Sequence, residues 1–298
     1  MRFLGSWGRL GALWLAMCAG AAAEAAGRTE FRQSAPSPVL GRPIPYAVYV
    51  PDRAPPAGER WPVLYLLHGL TGRDGDWFTW GNLATILDRL IATGQIRPLV
   101  VVAPGAGDSW YVDNPDPGGI GDVGTAFATD LIAAIDARLP TAACRDGRAI
   151  GGLSMGGYGA LHLSLTYPER FAAAISLSGA IAEPMRPSDP RLGAPFLRDL
   201  YKGAYGEPLD PGRFNRLNLF TTASASPAGP RPEIWMAIGR QDYPELIRAG
   251  DRLSRLLQKS GYAVERRGGE GRHFWDYWQR AIEPALVWLS PQLATRCD

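Results

Sequence analysis

Three residue types in this chain could do chemistry together: a serine between glycines, a histidine in a glycine-rich loop, and an aspartate in a turn between them. Residues 152–156 read Gly-Leu-Ser-Met-Gly, a G-x-S-x-G pentapeptide centred on Ser154. Such a pentapeptide suits a sharp strand-to-helix turn, in which the serine takes a strained backbone conformation and bulky neighbours would clash. Gly-rich turns are common, so the context matters more than the pentapeptide. Here "RAI" supplies a strand before it and "YGALHLSLTYPERF" a helix after it. The N-terminus of that helix favours negative charge developing beside the hydroxyl. Ser154 is the predicted nucleophile.

A serine hydroxyl attacks a carbonyl only when a base takes its proton. The histidines are His68, His162 and His273. His162 falls on the helix after Ser154, away from the turn. His68 ends a strand in "LLHGL", where the backbone of the next loop could bind an oxyanion. His273 sits in "GGEGRHFWDYW", just after the last predicted strand, and suits a base carried over the end of a sheet. The third member must orient the imidazole and stabilise its charged form. In the order serine, acid, histidine, Asp242 of "WMAIGRQDYPEL" stands at the end of a predicted strand. Glu245 and Asp251 fall in a helix beyond it, and Asp189 and Asp210 in an irregular region. A tetrahedral intermediate needs backbone donors. The residue after the nucleophile, Met155, supplies one N–H, and Leu70, after the turn at Gly69, is the predicted second.

The elements that must position these residues alternate. Near-continuous apolar runs at 46–50, 62–69, 99–104, 149–154, 172–179 and 233–239, with 263–268, read as strands buried on both faces of a mostly parallel sheet. Between them, "LATILDRLIATG" puts Leu83, Ile86, Leu87, Leu90 and Ile91 on one helical face, closed by Gly94. "TAFATDLIAAIDARLP" does the same and stops at Pro140, and "YWQRAIEPALVWLSPQL" reads as a closing helix. The order predicts an α/β sheet flanked by helices. Residues 183–230 break the rhythm with Pro, Gly, Ser and Arg. A structureless loop of that length is unusual in a compact domain, so this stretch is expected to hold short helices as a partial lid. A second long loop, 104–121, follows the carboxyl end of a strand, where ligands bind in such sheets.

The N-terminus has its own pattern. Arg2 and Arg9 precede the apolar run Leu10–Gly20, and "AAAEAAG" follows. This is the layout of a cleaved secretory signal peptide, assigned to residues 1–25, with 26–298 as one catalytic domain. Cleavage after Ala23 or after Ala25 fits equally. The run is too short for a bilayer span, so the mature chain is expected in the periplasm or secreted, without stable membrane insertion. Cys18 belongs to the removed segment. Cys144 and Cys297 remain, and sequence alone leaves open whether they pair. A net charge of +2, spread over 298 residues without a basic block, gives no sign of nucleic-acid binding. Separated histidines and two cysteines make no spaced metal-ligand set, so neither metal nor cofactor is expected.

With these residues in view, the chain resembles the esterase D and feruloyl-esterase-like α/β-hydrolases. The resemblance rests on "VLGRPIPYAVYVP", "PVLYLLHGLTGRDGDWF", "GQIRPLVVVAP", "GGLSMGGYGAL", "YPERFAAAISLSG", "IGRQD" and "RHFWDYW". It implies the α/β-hydrolase fold and a Ser-His-Asp esterase acting through an acyl-enzyme on a small-molecule or saccharide ester. It places nucleophile, acid and base on Ser154, Asp242 and His273, and the oxyanion donors on Leu70 and Met155. One departure is Arg272, where the family often has glycine before the histidine; another is that no cysteine follows "HGL", unlike the S-formylglutathione hydrolases. Related mycolyltransferases make acyl transfer to a sugar or lipid hydroxyl the alternative, and a non-catalytic binding protein on the same scaffold is a more remote one. Trp77, Trp80, Trp110, Tyr111, Trp275 and Trp278 could line an aromatic pocket, of which two or three are expected to touch substrate. His68, Trp110, Tyr111 and Trp275 are the expected substrate-binding side chains.

Overall fold

The computed structural model describes residues 27–297, apart from residues 187, 191, 193, 202 and 226–228. The segment expected to be a signal peptide, with Cys18 and both expected cleavage positions, lies outside the described residues. Eight strands form one sheet: β1 (Gly27–Ala35), β2 (Ile44–Pro51), β3 (Val63–Leu67), β4 (Val100–Pro104), β5 (Arg148–Leu153), β6 (Ala173–Leu177), β7 (Glu233–Gly239) and β8 (Val264–Gly269). Their order across the sheet is β1-β2-β4-β3-β5-β6-β7-β8. β2 runs antiparallel to both β1 and β4, and every other pairing is parallel.

The apolar runs become strands because both faces of the sheet are covered. Val63, Tyr65 and Leu67 of β3 face one hydrophobic cluster, and Leu64 and Leu66 face the other. This alternation is the two-residue period of the strand. β1 is the one sheet strand the sequence did not announce. Its nine residues, "GRTEFRQSA", pair with β2 alone and leave most side chains partly or fully exposed. An edge strand of this kind carries no apolar run to betray it.

The longer helices before the irregular segment are α1 (Leu83–Ala92), α2 (Val123–Arg138) and α3 (Met155–Thr166), and Asp76–Thr79 forms a single helical turn. α2 is interrupted by a π-helical stretch at Phe127–Leu131. α3 is buried on all sides along Met155–Leu165. Its small residues permit that: a Cβ on Gly156 would stand 2.5 Å from Leu67 O, and one on Gly159 would stand 2.4 Å from the Tyr111 ring.

Among the described residues of 183–230 there are three short helices, α4 (Pro195–Tyr201), α5 (Pro211–Arg216) and α6 (Leu219–Ser224). They are strapped to the rest of the molecule by side chains. Trp110 Nε1 donates to Leu200 O at 3.0 Å, and Asn114 Nδ2 donates to Gly203 O at 2.6 Å. Arg213 clasps both carboxylate oxygens of Asp116 at 2.6 and 2.9 Å. Trp110, Tyr158, Tyr201, Tyr205 and Phe214 pack ring against ring beneath the helices. The chain finishes with α7 (Pro244–Lys259) and α8 (Trp275–Leu289). Cys144 and Cys297 are joined by a disulfide, which ties the C-terminus to the segment entering β5.

Candidate active site

Ser154, Asp242 and His273 follow the carboxyl ends of three parallel strands, β5, β7 and β8, with β6 between the first two. Ser154 follows β5 with φ 53° and ψ −118°. A serine held there costs about 1–3 kcal/mol unless the surroundings impose the conformation. They do: Ser154 N–H donates to Leu177 O at 2.9 Å, and Ser154 O accepts from Ala180 N and Tyr158 N at 2.9 and 3.0 Å. The flanking glycines are required, since a Cβ on Gly152 would fall 2.4 Å from Gly156 O.

Asp242 follows β7 and His273 follows β8. The two loops touch backbone to backbone, because a Cβ on Gly239 would lie 2.1 Å from Gly271 O. Gln241 N–H donates to Gly271 O at 3.0 Å, Gln241 Oε1 accepts from Gly271 N at 2.6 Å, and Arg240 pairs with Glu270. The side chains then meet in a line. His273 Nδ1 is 2.9 Å from Asp242 Oδ1, and His273 Nε2 is 2.9 Å from Ser154 Oγ. An ionised carboxylate only accepts, so Nδ1 carries the proton and Nε2 is left to accept from the serine hydroxyl. Burial alone would push the Asp242 carboxyl up. Hydrogen bonds from His273 and the Tyr243 N–H, with the nearby Ser178 hydroxyl, outweigh it and hold Asp242 below its ordinary value. The imidazole is fenced by Trp278, edge-on at 5.1 Å, and by Tyr243 at 5.3 Å.

The loop after β3 closes over Ser154. A Cβ on Gly69 would stand 3.6 Å from Ser154 Cβ. Leu70 lines the cleft there, and Met155 opens α3, where its N–H has no acceptor within the helix. Thr71 N–H is held by Asp108 Oδ1 at 2.5 Å.

Two of the four expected substrate-binding residues are placed elsewhere. His68 is buried, its Nδ1 2.7 Å from Gly69 O and its Nε2 accepting from Ala106 N–H at 3.0 Å. Burial pushes its pKa down, which suits this neutral donor–acceptor role. Tyr111 is also buried, and its hydroxyl donates to His68 O at 2.9 Å. Both side chains hold the loops from below and neither lines the cleft. Trp110 and Trp275 do line it, as do Trp80 and Trp278. Trp77 does not, being buried with Nε1 donating to Leu67 O at 3.0 Å. Lining residues the sequence did not single out include Tyr201, Phe196 and Tyr243. Only Tyr243 carried a signal, its position next to Asp242.

The cleft encloses about 940 Å³. Asp76, Glu183 and Glu245 line it, Glu183 paired with Arg252 at 3.1 Å, and no arginine or lysine lines it among the described residues. The arrangement can polarise a serine hydroxyl next to a pocket with aromatic walls and a negative rim.

His162 is far from this relay in function. It is buried in α3 and stacked parallel on Tyr158 at 5.7 Å, and burial pushes its pKa down to about 4. Between pH 6.5 and 4 the unfolded chain therefore takes up a proton that the native chain does not. Stability contributed here is complete above pH 6.5 and is lost as the pH falls to 4, by about 3 kcal/mol. Urea unfolding at pH 7 and pH 4.5 checks this: the loss is expected to shrink in His162→Gln, and an unchanged pH slope contradicts it.

Residues 37–289 match the family described as "Putative esterase". The chain is 30% identical over 236 residues to an acetyl esterase of Caldicellulosiruptor saccharolyticus, spanning 78% of this chain and 84% of that relative. It is 28% identical over 275 residues to the diacylglycerol acyltransferase/mycolyltransferase Ag85A of Mycobacterium leprae, over 82% and 77% of the two chains. Its fold is similar to that of a ferulic acid esterase, with a TM-score of 0.72 at 22% identity over 91% of this chain and 100% of that one.

Proposed function

This chain belongs to the "Putative esterase" family and is a carboxylic ester hydrolase, and on that premise we propose that it is an exported serine esterase working through Ser154, His273 and Asp242. The observation that carries the reading is the unbroken 2.9 Å and 2.9 Å relay from Ser154 Oγ through His273 to Asp242. Ser154 Oγ attacks the ester carbonyl carbon while His273 Nε2 takes its proton. The carbonyl oxygen becomes an oxyanion held by the N–H groups of Leu70 and Met155. His273 returns the proton to the leaving alkoxide, which departs as an alcohol and leaves an acyl-enzyme. Water then attacks the acyl carbon and gives its proton to His273, which passes it to the departing Ser154 Oγ as the free acid leaves. Asp242 keeps the imidazole in the productive tautomer and stabilises its charged form. The helices of 183–230 act as a partial lid, with Trp110 and Trp275 against the substrate.

Export is supported by the N-terminal pattern and by the Cys144–Cys297 bond, which suits an oxidising compartment. Acyl transfer to a hydroxyl acceptor is the second reading, favoured by the similarity to the mycolyltransferase. Acetyl, butyryl, octanoyl and feruloyl esters assayed with and without an acceptor alcohol separate the two. Free acid as the main product supports hydrolysis, and product passing wholly into new esters overturns it.

The cleft's charge gives a prediction about substrates. Asp76 and Glu245 on the wall, with no lining cation among the described residues and Glu183 already paired with Arg252, disfavour an anionic ester. 4-Nitrophenyl butyrate is expected to exceed mono-4-nitrophenyl succinate by about tenfold or more in kcat/KM, with the gap narrowing as salt rises. Equal values at low salt contradict it.

A further inference from the structure

Behind Asp242 stands Ser178, the first residue after β6. The register of β6 on β7 pairs Leu177 with Ala237, and Ser178 N–H donates to Ala237 O at 2.7 Å. Its φ is 47°, a conformation glycine holds with least strain. A side chain is nevertheless present, completely buried.

The hydrogen-bond inventory around the acid is lopsided. Asp242 Oδ1 serves both His273 Nδ1 and Tyr243 N–H. Asp242 Oδ2 is buried without a partner in hydrogen-bond geometry, and so is Ser178 Oγ. The two groups are neighbours: the hydroxyl is close enough to help keep the carboxyl ionised, although burial works against it. The other titratable groups facing the carboxylate are His273 and, on α8, the Tyr277 phenol, which burial pushes up to about 12 with Asp242 adding to the effect. Neither can serve Oδ2 in place of the serine, since His273 is committed to Oδ1 and no bond from Tyr277 reaches the carboxylate among those described.

We propose that Ser178 is a positioning residue of the reaction, its hydroxyl donating to Asp242 Oδ2 and fixing the carboxylate plane that His273 requires. A carboxylate anchored through one oxygen can turn about its terminal bond, and the imidazole turns with it. The second anchor removes that freedom. The assignment rests on the triad reading above, because Ser178 acts only through Asp242 and His273.

Ser178→Gly is the informative variant. It removes the hydroxyl while relieving the backbone strain, so a folding defect does not follow from it, and Ser178→Ala gives a second measure. Both are expected to lower kcat about tenfold with KM unchanged. The acidic limb carries a further signature. In the parent enzyme the fall of log(kcat/KM) steepens where Asp242 takes up its proton, below the ordinary carboxylate range. Without the hydroxyl that break is expected at a higher pH. Parental kcat in Ser178→Gly overturns the proposal, and so does a fall in kcat with the break unmoved. Ser154→Ala assayed alongside separates the two levels of the argument. An inactive Ser154→Ala beside an unaffected Ser178→Gly overturns the Ser178 assignment alone. An active Ser154→Ala overturns the triad, and the role of Ser178 with it.

Discussion

Replacing Ser154 by alanine is expected to lower kcat for ester hydrolysis by about 10⁴–10⁶-fold with little change in KM. In the proposed mechanism the hydroxyl is the atom to be acylated, and it is the group that stands 2.9 Å from His273 Nε2. His273→Ala should fall as far, and the double variant little further, since the residues of a relay act as one unit. Backbone strain provides a control on folding. Ser154→Ala keeps a side chain at φ 53°, whereas Ser154→Gly relieves it. Ser154→Gly is therefore expected to be as inactive as Ser154→Ala but to melt at a higher temperature. Steady-state kinetics and thermal melts of the three single variants check this. Retention of parental kcat in Ser154→Ala contradicts it outright.

Breaking the Cys144–Cys297 bond is expected to have the largest effect on stability. The bond closes a loop with a sequence separation of 153 residues. Removing such a constraint typically costs about 2–5 kcal/mol, which for a chain of this size lowers the melting temperature by roughly 10 °C. Activity at 25 °C should survive. Cys144 lies at the amino end of β5 and Ser154 just past its carboxyl end, about 20 Å apart at the usual strand rise. The relay is built from loops at that far end. Melts of the Cys144→Ser, Cys297→Ser variant, with an ester assay at 25 °C, give the answer. An unshifted melting temperature, or an early loss of activity in the cold, contradicts the expectation.

These two predictions rest on parts of the molecule that the sequence revealed unequally. β3, β4, β5, β6 and β7 were legible because burial on both faces leaves a nearly continuous apolar run. β1 was not, because an edge strand with "TEFRQ" at its centre looks like a polar linker until β2 lies beside it. The helices of 183–230 were legible only as a class. They are six or seven residues long, too short to hold by their own propensity, and their positions depend on distant partners such as Trp110 and Asp116.

At the site, Ser154, Asp242 and His273 stood out because each carries a local mark: glycines around the serine, a strand end before the aspartate, a glycine-rich loop around the histidine. His68 and Tyr111 were misplaced for the opposite reason. Both occupy loops that reach the cleft, and sequence gives the loop but not the direction of the side chain. In the folded chain His68 bonds Gly69 and Ala106, and Tyr111 bonds His68 O, all beneath the cleft floor. Ser178 had no mark at all. A serine after "AAISL" resembles any strand end, and only the pairing of β6 with β7 sets it behind Asp242.

The central claim is that Ser154 carries the acyl group, and covalent trapping tests it most directly. A fluorophosphonate incubated with the full chain should add one adduct per molecule by intact mass. Peptide mapping should place it on Ser154 with parallel loss of esterase activity, and Ser154→Ala should remain unlabelled. An adduct on another residue that accompanies inactivation, or full inactivation with Ser154 unmodified, would contradict the account.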